Sequence, residues 1–142
     1  MIRFGYFPDF ADPTLLFWGE AEDLSRFAAF LRDAAPWANG ELSLADEPLF
    51  RPANRISVVI ARTNDRLGLR RRGRGRSATF RWAIDEELAR RFADLIEAVA
   101  RSTGPSHHYL DAPDGDDALV VVSKGEYDEA FGGAEETVLA PR

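Results

Sequence analysis

The stretch from Asp85 to Ser102 constrains the fold of this chain more than any other. Its apolar residues Leu88, Phe92, Leu95, Ile96 and Val99 fall at i, i+4, i+7, i+8 and i+11, the stripe of a helix lying on a core. Both ends carry the matching signals. Asp85 is a good N-cap, Glu86 and Glu87 favour the helix dipole in the first turn, and Gly104 and Pro105 stop the helix. Glu86 with Arg90, Glu87 with Arg91 and Glu97 with Arg101 are i, i+4 pairs on the wet face, worth about 0.2–0.5 kcal/mol each. A second helix is expected over Glu20 to Ala35, with Leu24, Phe27, Ala28, Leu31 and Ala35 on one face and Pro36 after it.

The surroundings of these helices are strand-like. Ile2 to Phe7 and Thr14 to Trp18 are β-branched and aromatic runs joined through Pro8, Asp9, Asp12 and Pro13, which predicts a hairpin. Ile56 to Arg62 and Thr79 to Ile84 flank a polar arginine stretch. Ser106 to Asp111 and Ala118 to Ser123 flank the turn sequence Ala112-Pro113-Asp114-Gly115-Asp116-Asp117. Glu41 to Leu44 is a weaker strand. The order is β-β-α-β-β-β-α-β-β, with a short helical piece near Glu126 to Phe131. The expected fold class is α+β, a mostly antiparallel sheet with two helices packed on one face as a two-layer sandwich. The chain has 142 residues, close to the usual length of one domain. The domain is placed at 1–131, with an arginine-rich loop at about 63–78 and an irregular tail at 132–142.

Charge divides the chain in two. The formal net charge is -6, but residues 51 to 81 hold ten arginines and one acid, Asp65, for a net of +9, which leaves -15 elsewhere. Arg70, Arg71, Arg72, Arg74 and Arg76 alternate with Gly73 and Gly75, a pattern able to wrap phosphates with guanidinium forks. No aromatic residue lies in the loop to stack a base, so single-strand recognition lacks its platform there. The plainer account is a solvated hairpin loop that contacts the acidic remainder of its own molecule or of a neighbour.

Several chemistries are excluded. With no cysteine there is no disulfide, thiolate metal site or cysteine nucleophile. Neither a G-x-S-x-G elbow nor a Walker loop is present, and Lys124, the only lysine, follows Val-Val-Val-Ser. Apolar runs such as Ala118 to Val122 fall far short of the roughly 18–20 residues of a membrane helix. There is also no basic segment followed by an apolar leader core. A cytoplasmic location is therefore expected, and seventeen arginines against one lysine suggest a GC-rich bacterial genome.

One polar cluster remains, His107, His108, Tyr109 and Asp111. Strand alternation puts His107, Tyr109 and Asp111 on one face and His108 and Leu110 on the other, so the two imidazoles do not chelate one metal. No metal and no cofactor is expected. General acid-base work by either histidine, with Tyr109, Asp111 or Glu126, stays open beside the plainer reading of a hydrogen-bonded strand histidine. The aromatic start, with Phe4, Tyr6, Phe7, Phe10, Phe17 and Trp18, is more often core than surface: its inward half is expected beneath the helices, and a partner-binding patch is open only to its outward half.

Three stretches together carry a resemblance: Tyr6-Phe7-Pro8-Asp9-Phe10-Ala11-Asp12 running into Leu15-Leu16-Phe17-Trp18-Gly19; His108-Tyr109-Leu110-Asp111; and Val121-Val122-Ser123-Lys124-Gly125-Glu126-Tyr127. They resemble small uncharacterised bacterial proteins, some of them like the immunity proteins of polymorphic toxin systems. The resemblance implies a compact α+β protein that binds and masks another protein, and it brings no catalytic residue with it. The function expected from the whole chain is a non-catalytic protein-binding module, such as an immunity-type inhibitor of a basic toxin or enzyme. The alternative is nucleic-acid binding through the arginine-rich loop.

Overall fold

The computed structural model describes residues 1–33, 40–73 and 77–132. The last residues of the expected first helix, Arg74 and Arg76 of the arginine segment, and the tail from 133 lie outside the described residues.

The first two runs form a hairpin, β1 (Ile2–Phe7) against β2 (Thr14–Trp18), in register Arg3 to Trp18 through Phe7 to Thr14. Helix α1 (Ala21–Arg32) follows. Then come β3 (Glu41–Ser43), a 3-10 turn at Leu44–Asp46, β4 (Phe50–Pro52) and β5 (Ile56–Arg62). The arginine stretch contains β6 (Gly68–Arg72), and β7 (Ala78–Ile84) leads into α2 (Glu86–Arg101). A last hairpin, β8 (Ser106–Tyr109) and β9 (Leu119–Lys124), closes the described chain. Residues 126 to 131 form bends and a turn, with the Phe131 N–H donating to the Asp128 carbonyl, where a short helix was expected.

The fold is α+β, but the expectation of one mostly antiparallel sheet is corrected. The described residues form two sheets and both are mixed, in strand order β4-β1-β2-β9-β8 and β3-β5-β7-β6. Parallel pairs join β1 to β4, β2 to β9 and β5 to β7. The physical reason lies in β6. The chain leaves β5, runs to the far side of the sheet as β6, and returns as β7 into the slot between them, so β5 and β7 become parallel neighbours. A direct β5–β7 hairpin would have made them antiparallel.

One core joins the inner faces of both sheets to the apolar stripes of both helices. Phe17 of β2 stacks on Trp82 of β7 at 5.5 Å, and Trp82 stacks on Phe92 of α2 at 5.7 Å. Tyr6 meets Phe80 edge-on at 5.0 Å across the sheets. Arg32 ties the helices at their surface, donating to Asp94 and Glu97 of α2 at 2.7 and 2.5 Å. The i, i+4 pairs Glu86–Arg90 and Glu97–Arg101 form as expected. Asp85 caps α2 by accepting from the Leu88 N–H at 2.7 Å. Asp85→Ala is therefore expected to lower stability by about 1 kcal/mol, read as a shift of the urea midpoint with unchanged slope.

The opposite face of the first sheet carries a second cluster. Phe7, Leu16, Trp18 and Ala53 are buried there beneath Phe10, Tyr127 and Phe131. The Trp18 indole donates to the Asp128 carbonyl at 2.9 Å, which fastens the 127–131 turn over the sheet. The outward aromatic half of the first hairpin is thus covered by its own chain, so the more usual reading of these aromatics as core holds there. Among the described residues no helix is long and apolar enough to cross a membrane.

Candidate functional site

Two arrangements concentrate the charged and polar side chains singled out above. The first brings the arginine segment and the acidic turn together. In an edge strand, alternate backbone N–H groups point away from the sheet and need acceptors. Along β6 and the residue before it, those groups belong to Leu67, Leu69 and Arg71. They donate to the carboxylates of Asp114, Asp116 and Asp117 at 2.9, 2.8 and 2.9 Å. The Asp117 N–H returns a bond to the Leu69 carbonyl at 2.8 Å. The turn between β8 and β9 therefore zips onto β6 with side-chain oxygens in place of a neighbouring strand's carbonyls.

The guanidinium groups take part as well. Arg70 donates to the carbonyls of Gly115 and Asp114 at 2.6 and 3.0 Å. Arg71 lies over the Tyr6 ring at 5.2 Å and donates to its hydroxyl at 3.3 Å. Arg81 reaches Glu41 across the second sheet at 3.4 Å. Arg72 is exposed. Of the five arginines expected to form a phosphate-binding loop, two are engaged inside the molecule, one is free to solvent, and Arg74 and Arg76 lie outside the described residues. Asp116 is half-buried and accepts a second bond, from the Ala112 N–H at 3.1 Å. Burial raises its carboxyl above the ordinary aspartate range, against the lowering effect of these two N–H bonds.

The second arrangement lies on the outer face of the first sheet, at its β8 end. Alternation in β8 holds as expected: His107 and Tyr109 share the outer face and meet edge to face at 5.7 Å. Leu110 is fully buried in the core on the other side. His108 points away from this pair and is exposed, and Asp111 stands beyond the end of the strand without joining them. The His107 Nδ1 donates to Glu126 Oε2 at 3.0 Å, and the other oxygen of Glu126 accepts from the Ser123 hydroxyl at 2.5 Å. Register explains the meeting, because His107 pairs with Ser123 across β8 and β9. Glu126 is legible in the sequence as a partner for the histidine, whereas Ser123 is not. Its only local signal was its place before the Lys124-Gly125 turn.

These groups border a cleft of about 330 Å³ floored by Leu16, Leu119 and Val121 and walled by Phe10, Tyr109 and Tyr127. Besides the two tyrosines its ionisable lining is Asp12, Glu126 and His107, with no arginine or lysine. Burial, aided by the nearby Glu126 carboxylate, raises the Tyr127 phenol above its ordinary value and keeps it protonated. A second cleft of about 420 Å³ adjoins the first, sharing Asp12 and Leu119 and adding Asp111 beside the acidic turn.

In a serine nucleophile relay the imidazole stands between hydroxyl and acid, so that it takes the hydroxyl proton. Here the acid stands between them, and Ser123 is fully buried behind it. The three residues hold one another in place and leave the imidazole edge and the Tyr109 ring toward solvent. Among the described residues no group of three or more His, Asp or Glu side chains is placed to hold a metal ion. The chain matches no family model, no curated protein and no solved structure, so its site stands on its own geometry.

Proposed function

We propose that this chain is a non-catalytic protein-binding module, an immunity-type inhibitor acting in the bacterial cytoplasm, and that it holds its partner at the outer-face cleft beside β8. One observation carries the reading. Tyr109 is 48% exposed, the only large aromatic side chain so placed among the described residues, and it stands at the mouth of an apolar, acid-rimmed cleft. Exposed tyrosines over apolar floors are the usual anchors of protein interfaces. The His107–Glu126–Ser123 chain fixes the neighbouring surface, which lowers the ordering cost of association. The acidic lining selects a basic partner.

Nucleic-acid binding through the arginine segment is the second reading, and the exposed Arg72 favours it. It is weakened because Arg70 and Arg71 already have partners within the chain. Affinity capture from host lysate at low salt, with and without nuclease, separates the two. The expected result is a protein retained after nuclease treatment, with retention falling about tenfold for Tyr109→Ala. Recovery of nucleic acid alone, or of no protein at all, would overturn the proposal.

A further inference from the structure

We infer that the open edge of β8 takes up an extended, arginine- or lysine-bearing segment of the partner protein as an added strand, its cationic side chains laid along the acidic rim of the two clefts. The inference rests on the protein-binding reading above and gives it a partner chemistry.

The backbone supplies the first part. The Leu110 N–H donates to the Val120 carbonyl at 2.8 Å, which makes Leu110 and Val120 a hydrogen-bonded pair. By alternation, His108 with Val122 and Ser106 with Lys124 are hydrogen-bonded pairs too, and His107 with Ser123 and Tyr109 with Val121 are not. The N–H and C=O groups of His107 and Tyr109 are therefore directed away from β9. Among the described residues no strand lies on that side of β8.

The other sheet edges are protected differently. Three carboxylates occupy the edge of β6. β4 is three residues long and ends in Pro52, and β3 is three residues long and runs straight into a 3-10 turn. Short strands and prolines block pairing at an edge. β8 is only four residues long, but it contains no proline, runs into no 3-10 turn and ends in an exposed tyrosine.

The side chains supply the second part. In a strand added beyond β8, the residues facing the outer side of the sheet fall beside His107 and Tyr109, over Leu119 and Val121. Asp12 and Glu126 rim that floor, and Asp111 lies in the adjoining cleft. No arginine or lysine lines either cleft, and among the described residues the carboxylates of Asp12 and Asp111 form no ion pair. Long basic side chains suit this surface, because their methylene stems cover apolar floor while their charged ends reach the carboxylates. An acidic segment meets like charge throughout. With only two residues offering free backbone groups, the side chains carry most of the discrimination.

The test is a low-salt NMR titration of the full chain with a capped peptide of alternating valine and arginine, beside the same peptide with glutamate in place of arginine. The arginine peptide is expected to move the amide signals of His107 and Tyr109, and the glutamate peptide to leave them in place. In the double variant Asp12→Asn and Asp111→Asn, both exposed positions, affinity for the arginine peptide should fall about fivefold. Equal shifts with both peptides, shifts centred on other strands, or no shift with the arginine peptide would each overturn the inference. Nuclease-resistant capture of a protein by the wild-type chain, alongside such a negative titration, would retain the binding module and discard strand addition.

Discussion

Gly68→Ala is expected to lower stability by about 3 kcal/mol or more and to detach the acidic turn from β6. Gly68 has φ +133, and a Cβ built there would stand 2.1 Å from the Gly115 carbonyl oxygen. That obstacle is backbone, so no side-chain rotation relieves it. The nearest side-chain atoms are Arg70 Nη1 at 2.9 Å and Asp116 Oδ1 at 3.2 Å, both members of the same contact. Backbone strain at such a φ costs about 1–3 kcal/mol, and displacing the turn adds the loss of its charged hydrogen bonds. Gly73→Ala is the comparison. Gly73 also has a positive φ, +73, but a Cβ there meets nothing within 4 Å, so only the left-handed backbone cost of about 1 kcal/mol is expected. Urea unfolding of both variants at neutral pH measures the difference.

The second large effect is expected at Asp116. Its carboxylate accepts from the Leu69 and Ala112 N–H groups, and Asp116→Ala leaves both without a charged acceptor. Each such bond is worth about 1.5–3 kcal/mol, so a total loss of about 3 kcal/mol is expected after partial rehydration. Asp111→Ala removes an exposed carboxylate that holds no backbone group, and it should change stability by less than about 0.5 kcal/mol.

The pH dependence has a definite sign. Because burial raises the native pKa of Asp116, the folded chain takes up this proton before the unfolded chain as pH falls. Its contribution to stability therefore increases on acidification, from neutral pH down through the raised native value toward the ordinary aspartate range. The stability difference between wild type and Asp116→Asn should grow in favour of wild type over that window. Unfolding free energies measured across it check the sign.

Local pattern was enough for the strongest elements. The stripe and caps of α2, the hairpin of β1 and β2, and the bounds of β5 are as read from sequence, because each carries its own period and punctuation. The missing strands carry neither. Phe50–Pro52 is too short to show alternation. In Gly68–Arg72 only Leu69 is a buried apolar side chain, and the next inward position, Arg71, uses its guanidinium against the Tyr6 ring. A strand whose edge is completed by carboxylates more than forty residues away looks like a polar loop when read alone. Sheet order was illegible for the same reason, since the long-range return of β7 between β5 and β6 leaves no mark in local composition.

The candidate site divides similarly. Alternation placed His107 with Tyr109 and separated His108 correctly, while Asp111 lies past the end of the strand and lines the adjoining cleft instead of the one that His107 and Tyr109 border. The charge asymmetry was plain in the sequence, but its purpose was not. The acidic turn and part of the arginine segment are one structural contact.

Amide hydrogen exchange along 67–72 tests that contact most directly. Gly68, Arg70 and Arg72 face β7 in either case and are protected by ordinary sheet pairing. If the acidic turn completes the edge, Leu67, Leu69 and Arg71 are protected as well, and Asp116→Ala speeds exchange at Leu69 first. Protection at alternate residues only, with Leu69 and Arg71 exchanging at free-chain rates in the wild-type protein, is the pattern of an open edge and would contradict the account.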